Sequence, residues 1–263
     1  MQLGVSISKT VFELAQAGEL DADYIVYYGQ LGGKYLNDLL PIRPLMLHDL
    51  PEPFWLNYEN PFTDEVVRVG RMMLDAIRPP WFSTGVGASA EPQAHRDGPY
   101  REGNPEDLQP REVVIANITK HGKRLVEWAG IPVLLENFNY HATNAYEYIC
   151  EPDVFTQLLE ATGTGMLLDL AHARISAYNM DWASEKDYLQ ALPLQQCREI
   201  HITRPGWQNG QRVDLHSPIG QEELDLLGWV LERSATEAVT LEVEELPIDV
   251  LRAQLKMLRE FLS

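Results

Sequence analysis

The chain has 263 residues, 45% of them hydrophobic, and its 21 Lys plus Arg against 39 Asp plus Glu give a formal net charge of −18. That length suits one (β/α)8 barrel with a sizeable buried core, and the ordinary aliphatic content excludes disorder as the main state. A surface this acidic repels phosphate backbones and anionic headgroups, which argues against nucleic-acid and membrane partners.

The two cysteines, Cys150 and Cys197, form no C-x-x-C pair and read as free thiols in a reducing compartment. The N-terminus, MQLGVSISKTVFELAQ, lacks a basic region followed by an apolar core. No run approaches the roughly 18 apolar residues that span a bilayer. A cytoplasmic location is expected.

In chain order, Leu3–Ser8 reads as a strand and Thr10–Gly18 as a helix. Tyr24–Tyr28 is a second strand, with a short helix near Leu31–Leu40, and Pro44–Asp49 is a third. Thr63–Arg78 carries Val66, Val67, Val69, Met73, Leu74 and Ile77 at helical spacing. Trp81–Val86 is the fourth strand, and the irregular Gly87–Pro110 after it is expected to be a lid or substrate loop over the C-terminal face. Helices at Glu112–Ala129, Pro152–Thr162, Ser184–Leu192 and Gln221–Glu232 then alternate with strands at Pro132–Phe138, Gly165–Leu170, Glu199–Thr203 and Val239–Val243. Pro247–Leu262 closes as a helix, its Pro at the first turn, where a missing N–H costs nothing. Alternating strands and helices in this number predict a single α/β domain, a closed parallel (β/α)8 TIM barrel over residues 1–263. A doubly wound sheet would show a Gly-rich phosphate turn after an early strand, and none is present.

Chemistry-bearing residues fall at the ends of those strands. His48 follows PLML, Glu136 follows VLL with Asn137 beside it, and Asp169 follows MLL with His172 three residues on. His201 lies inside EIHIT and Glu242 follows VTL. A charged group at the C-terminal end of a buried parallel strand is costly unless it is paired or binds metal. The segment after strand seven, RPGWQNGQRVDLHSP, adds Asp214 and His216 in a D-x-H spacing that turns both to one side of an extended chain. The predicted metal ligands are therefore His48, Glu136, Asp169, His172, His201, Asp214, His216 and Glu242. Mixed imidazole and carboxylate donors without thiolates suit Fe, Mn or Zn, and so many exceed the needs of a single ion. Taken singly, each has an ordinary structural reading, Glu136 as an ion-pair partner and His201 as a core histidine. His95 reads as a surface residue, and Pro53–Tyr58 as packing. No G-x-S-x-G elbow, Walker loop or H-E-x-x-H is present, and no general acid or base stands out.

At PVLLENFNY, GMLLDLAHARISA, LPLQQCREIHIT, VDLHSP and TLEVEE the chain resembles the multinuclear non-heme iron oxidative enzymes, xylose-isomerase-like barrels that include the iron enzyme of methanobactin biosynthesis. Order and spacing match over Pro132–Glu242, while the N-terminal half matches mainly at PLMLHD. The resemblance implies metal ligation by His48, Glu136, Asp169, His201, Asp214, His216 and Glu242, with His172 as a substitute ligand where the family has Asn. It implies two or three irons, use of dioxygen, and oxidation of cysteine or another residue of a ribosomally made peptide in natural product biosynthesis, with a partner protein that reads the leader. The chain departs from the family at strand four, which reads WFSTGVG without the family's Asp and His, at strand two, YIVYYGQ, and after the strand-seven His, where TRP replaces AGH. One metal position is therefore missing or rebuilt. The competing expectations are a divalent-metal sugar isomerase, epimerase or hydrolase of the same barrel type, holding Zn or Mn, and a non-catalytic metal-bound partner protein.

Overall fold

A computed structural model describes residues 1–31, 33–51, 54–90 and 108–263. Eight strands close into a parallel barrel: β1 (Gln2–Ser6), β2 (Tyr24–Tyr28), β3 (Leu45–His48), β4 (Phe82–Gly85), β5 (Val133–Glu136), β6 (Gly165–Asp169), β7 (Cys197–Ile202) and β10 (Ala238–Leu241), the last pairing back with β1. Helices α1 (Lys9–Gln16), α2 (Leu36–Leu39), α3 (Asp64–Ile77), α4 (Arg111–Ala129), α5 (Pro152–Thr162), α6 (Leu170–Asn179), α7 (Glu185–Ala191), α8 (Gln221–Leu231) and α9 (Ile248–Phe261) fill the connections. Local chemistry sets their ends. Ser8, Thr63 and Ser184 accept hydrogen bonds from the first turns of α1, α3 and α7, while Gly130 and Gly163 end α4 and α5 at positive φ.

Strand parity decides what enters the barrel, because alternate residues face the axis. Tyr24, Val26, Met46, Trp81, Leu134, Leu167 and Ala238 form an inner cluster, separate from the larger core between strands and helices. Two residues further along, the same parity delivers His48 from β3, Glu136 from β5 and Asp169 from β6 to the C-terminal rim.

Three elements differ from the sequence expectation. The helix near Leu31–Leu40 is a 3-10 turn at Gly29–Leu31 and a single α-turn at Leu36–Leu39. Strand six stops at Asp169, and helix α6 starts at once; its residues are buried on nearly all sides, so no amphipathic period marks it. The segment after β7 folds into an antiparallel hairpin, β8 (Arg204–Gln208) and β9 (Gln211–Ser217). Its two-residue turn is Asn209-Gly210, both at positive φ, and an Asn-Gly pair was the available signal. The expected lid falls mostly on residues 91–107, and His95 with it, outside the described residues; Ala90 and Leu108 flank it in an antiparallel bridge. Pro53 is also outside them, while Phe54 and Leu56 are buried as packing residues. Among the described residues, no helix is long and apolar enough to cross a membrane.

Candidate metal centre

Glu136, Asp169, His201 and Glu242, all buried, form the heart of the site: each offers a ligand atom, and these lie within 4.8 Å of one another. Asp169 shows how one residue serves fold and site together. Its Oδ1 caps α6 by accepting the His172 N–H at 2.7 Å, and its backbone N–H and C=O are clamped by the Asn137 side chain at 2.8 and 3.0 Å. Its Oδ2 is buried without a hydrogen-bond partner. A buried carboxylate oxygen left unpaired is expensive, and a cation is the natural partner for it. The donor set fits metal on the same ground.

The other four predicted residues join Glu136, Glu242 and His201 in a closed circuit. His48 Nε2 lies 3.4 Å from Glu136 Oε2, and Glu136 Oε1 lies 3.6 Å from His172 Nδ1. His172 Nε2 is 3.3 Å from Asp214 Oδ2, which sits 2.9 Å from His216 Nε2. His216 Nε2 is 3.9 Å from Glu242 Oε1, Glu242 Oε2 is 3.0 Å from His201 Nδ1, and the His201 and His48 rings approach at 5.3 Å. The structure thus brings together all eight residues singled out in the sequence. Asp214 and His216 arrive on β9, and His216 adopts φ 45°. An open cavity of about 450 Å³ lies over the circuit.

The electrostatics follow from burial against opposite charge. Burial opposes protonation of His48, but Asp49 and Glu136 outweigh it and raise the imidazole to about 9. His216 is likewise raised to about 9 against its burial by Asp214 and Glu242. Carboxylate neighbours lift His172 and His201 well above the usual range despite burial. Burial pushes Asp169 up to about 7, with His172 opposing and Asp214 and Glu242 adding. Burial would raise Asp214 and Glu242, yet their histidine partners hold both below the usual carboxylate range.

Sequence reasoning missed several neighbours. Tyr28 donates its hydroxyl to Glu242, and Ser83 bonds His48 Nδ1 at 2.9 Å. Glu199 lies beneath His201, 3.5 Å from its Nε2, and Asp49 lies beside His48. Tyr28 and Glu199 share strand parity with predicted core or site residues, which was the available signal. Both cysteines are free and buried, and burial pushes the Cys197 thiol up to about 12 and Cys150 higher still, so neither is an activated nucleophile.

Residues 19–263 match the family described as "RiPP precursor modification enzyme MbnB/TglH/ChrH". The chain belongs to this family. The match covers the whole barrel except its first strand and helix. A UPF0276 protein of Caulobacter sp. (strain K31) is 27% identical over 164 residues, 59% of this chain and 59% of that one. The chain thus matches less than two thirds of the length of such curated relatives. Among solved structures, a D-tagatose 3-epimerase-like protein aligns with TM-score 0.63 at 16% identity, covering 100% of this chain and 97% of the other. A xylose isomerase domain containing protein of Salmonella typhimurium LT2 aligns with TM-score 0.62 at 12% identity, with coverage of 100% and 97%. At such identities the likeness shows the fold alone: a xylose-isomerase-like TIM barrel.

Proposed function

We propose that the chain is a multinuclear non-heme iron, O2-dependent oxidative enzyme that modifies cysteine or another residue of a ribosomally made peptide, presented by a leader-binding partner protein. The observation that carries this reading is the cluster of four carboxylates and four imidazoles formed by the seven-residue circuit together with Asp169. Oxygen and nitrogen donors in that number exceed the coordination of a single ion, and two or three ions suit them better. Bound iron would supply one-electron and dioxygen chemistry that no acid–base side chain here offers.

The chain's own residues orient and enclose. Ser83 engages Nδ1 of His48, and the Asn137 carbonyl engages Nδ1 of His172 at 2.9 Å, so both rings turn Nε2 toward the circuit. Asn137 locks Asp169, and Tyr28 steadies one oxygen of Glu242. The cavity above has room for a peptide side chain, and the family's action on precursor peptides supports that substrate class.

Metal content per chain, measured by mass spectrometry on protein purified without oxygen or added metal, tests the proposal. About two or more irons per chain, lowered in Asp169→Ala and His201→Ala, are expected. A second reading, a divalent-metal sugar isomerase, epimerase or hydrolase, rests on the four-residue nest, which by itself is enough for one ion. About one Zn or Mn per chain, with turnover of a ketose, would favour it. No tightly held metal would overturn both.

A further inference from the structure

Asp49 follows His48 at the end of β3, with its backbone in the left-handed region at φ 59°, a conformation that side chains with a Cβ resist. Strand four holds the carboxylate in place. Oδ1 accepts the Thr84 hydroxyl at 2.8 Å and the Gly85 N–H at 3.2 Å. Oδ2 accepts from Gln30 Nε2 at 3.2 Å and lies 3.6 Å from His48 Nε2. Nδ1 of His48 is occupied by Ser83, so Nε2 is the nitrogen left for a ligand. That imidazole, whose side chain is only 5% exposed, points between Asp49 Oδ2 and Glu136 Oε2, 3.4 Å away. Asp49, Gln30, His48 and Glu136 all line the cavity.

The four-residue nest does not include Asp49 or His48. Glu136 belongs to both groups, turning Oε2 toward His48 and Oε1 toward His172. Strand β4, Phe-Ser-Thr-Gly, has no carboxylate or imidazole to give, and three of its polar groups are spent on fixing Asp49 and His48. We infer that Asp49 supplies the carboxylate that strand four lacks, joining His48 and Glu136 around one cation of the proposed centre, with strand four acting as the scaffold that aims Asp49. This inference rests on the metal-centre reading above. The ligand class is a divalent cation that accepts carboxylate oxygen and imidazole nitrogen, Fe(II) or Mn(II), with its remaining face toward the cavity.

Anaerobic equilibrium dialysis of the metal-free full chain against Fe(II) alone tests the site in wild type, Asp49→Asn, Asp49→Gly and Asp169→Asn. Asn keeps the acceptor for Thr84 and Gly85 and tolerates the left-handed backbone, whereas Gly accepts that backbone freely, so the two substitutions perturb folding in different ways. Thermal melts of the metal-free forms check that each variant is folded. Both Asp49 variants are expected to bind about one Fe(II) fewer per chain than wild type. An unchanged count in either folded Asp49 variant, with Asp169→Asn lowered, overturns this site and leaves the metal centre standing. No Fe(II) bound by wild type overturns both.

Discussion

Two residues before His201, and on the same face of β7, Glu199 accepts hydrogen bonds from Trp81 Nε1 at 2.7 Å, Thr240 Oγ1 at 2.9 Å and Tyr24 O–H at 3.2 Å. Burial raises its pKa, but His201 and these donors outweigh burial and leave it below the usual range. The carboxylate therefore stays ionised beneath the candidate metal centre, 3.5 Å from His201 Nε2. Glu199→Ala strands three buried donors and is expected to cost about 3–5 kcal/mol, read by urea unfolding of the metal-free chain. A loss below about 1 kcal/mol, the worth of one ordinary hydrogen bond, would show that the network does not bear on stability.

At the scale of elements, Asp214 and His216 reach the centre on the β8–β9 hairpin rather than on a barrel strand. The hairpin is tethered through Arg204 Nε, 3.1 Å from Glu223 Oε2, while Glu223 Oε1 accepts from the buried Arg174 on α6 at 2.7 Å. The turn at Asn209-Gly210 sets the register that presents Asp214 and His216. A Cβ added at Gly210, φ 80°, would meet no atom within 4 Å, so a substitution there acts through the backbone alone. Gly210→Val should strain the turn by about 1–2 kcal/mol and weaken metal held by Asp214 and His216 by roughly tenfold. Fe(II) titration measures the affinity, and hydrogen exchange of the barrel strands should stay as in wild type. Equal affinity in the variant would mean the hairpin does not position those donors.

For the whole molecule, the acidic charge and the buried circuit link metal, protons and stability. His48 and His216 are raised to about 9, above the ordinary imidazole range, so their contribution is fully present below about pH 6.5 and is lost as pH climbs through 9. Asp169, raised to about 7, contributes when protonated and loses that contribution over a lower window, from about pH 4 to 7. The metal-free chain should therefore unfold at lower urea concentration at pH 9.5 than at pH 6.5. Metal ligation needs neutral imidazoles and ionised carboxylates, so binding at pH 7 should release protons. A pH indicator in weakly buffered solution reads the release, and uptake of metal without it would contradict the protonation pattern.

The amino-acid sequence by itself determined the alternation of strands and helices, and through strand parity it marked His48, Glu136, Asp169, His201 and Glu242 as rim residues, because a period of two is a local property. It also carried the Asn-Gly turn of the hairpin and the D-x-H pair on its second strand. It did not reveal α6, whose residues are buried on nearly every side and so lack a helical stripe. Tertiary structure alone decided the rest. Barrel closure brings β10 back against β1, places Tyr28 at Glu242 across 214 residues of sequence, and sets Asp49 against β4. Those contacts depend on how distant strands pack around one axis, and no local pattern of residues encodes that distance.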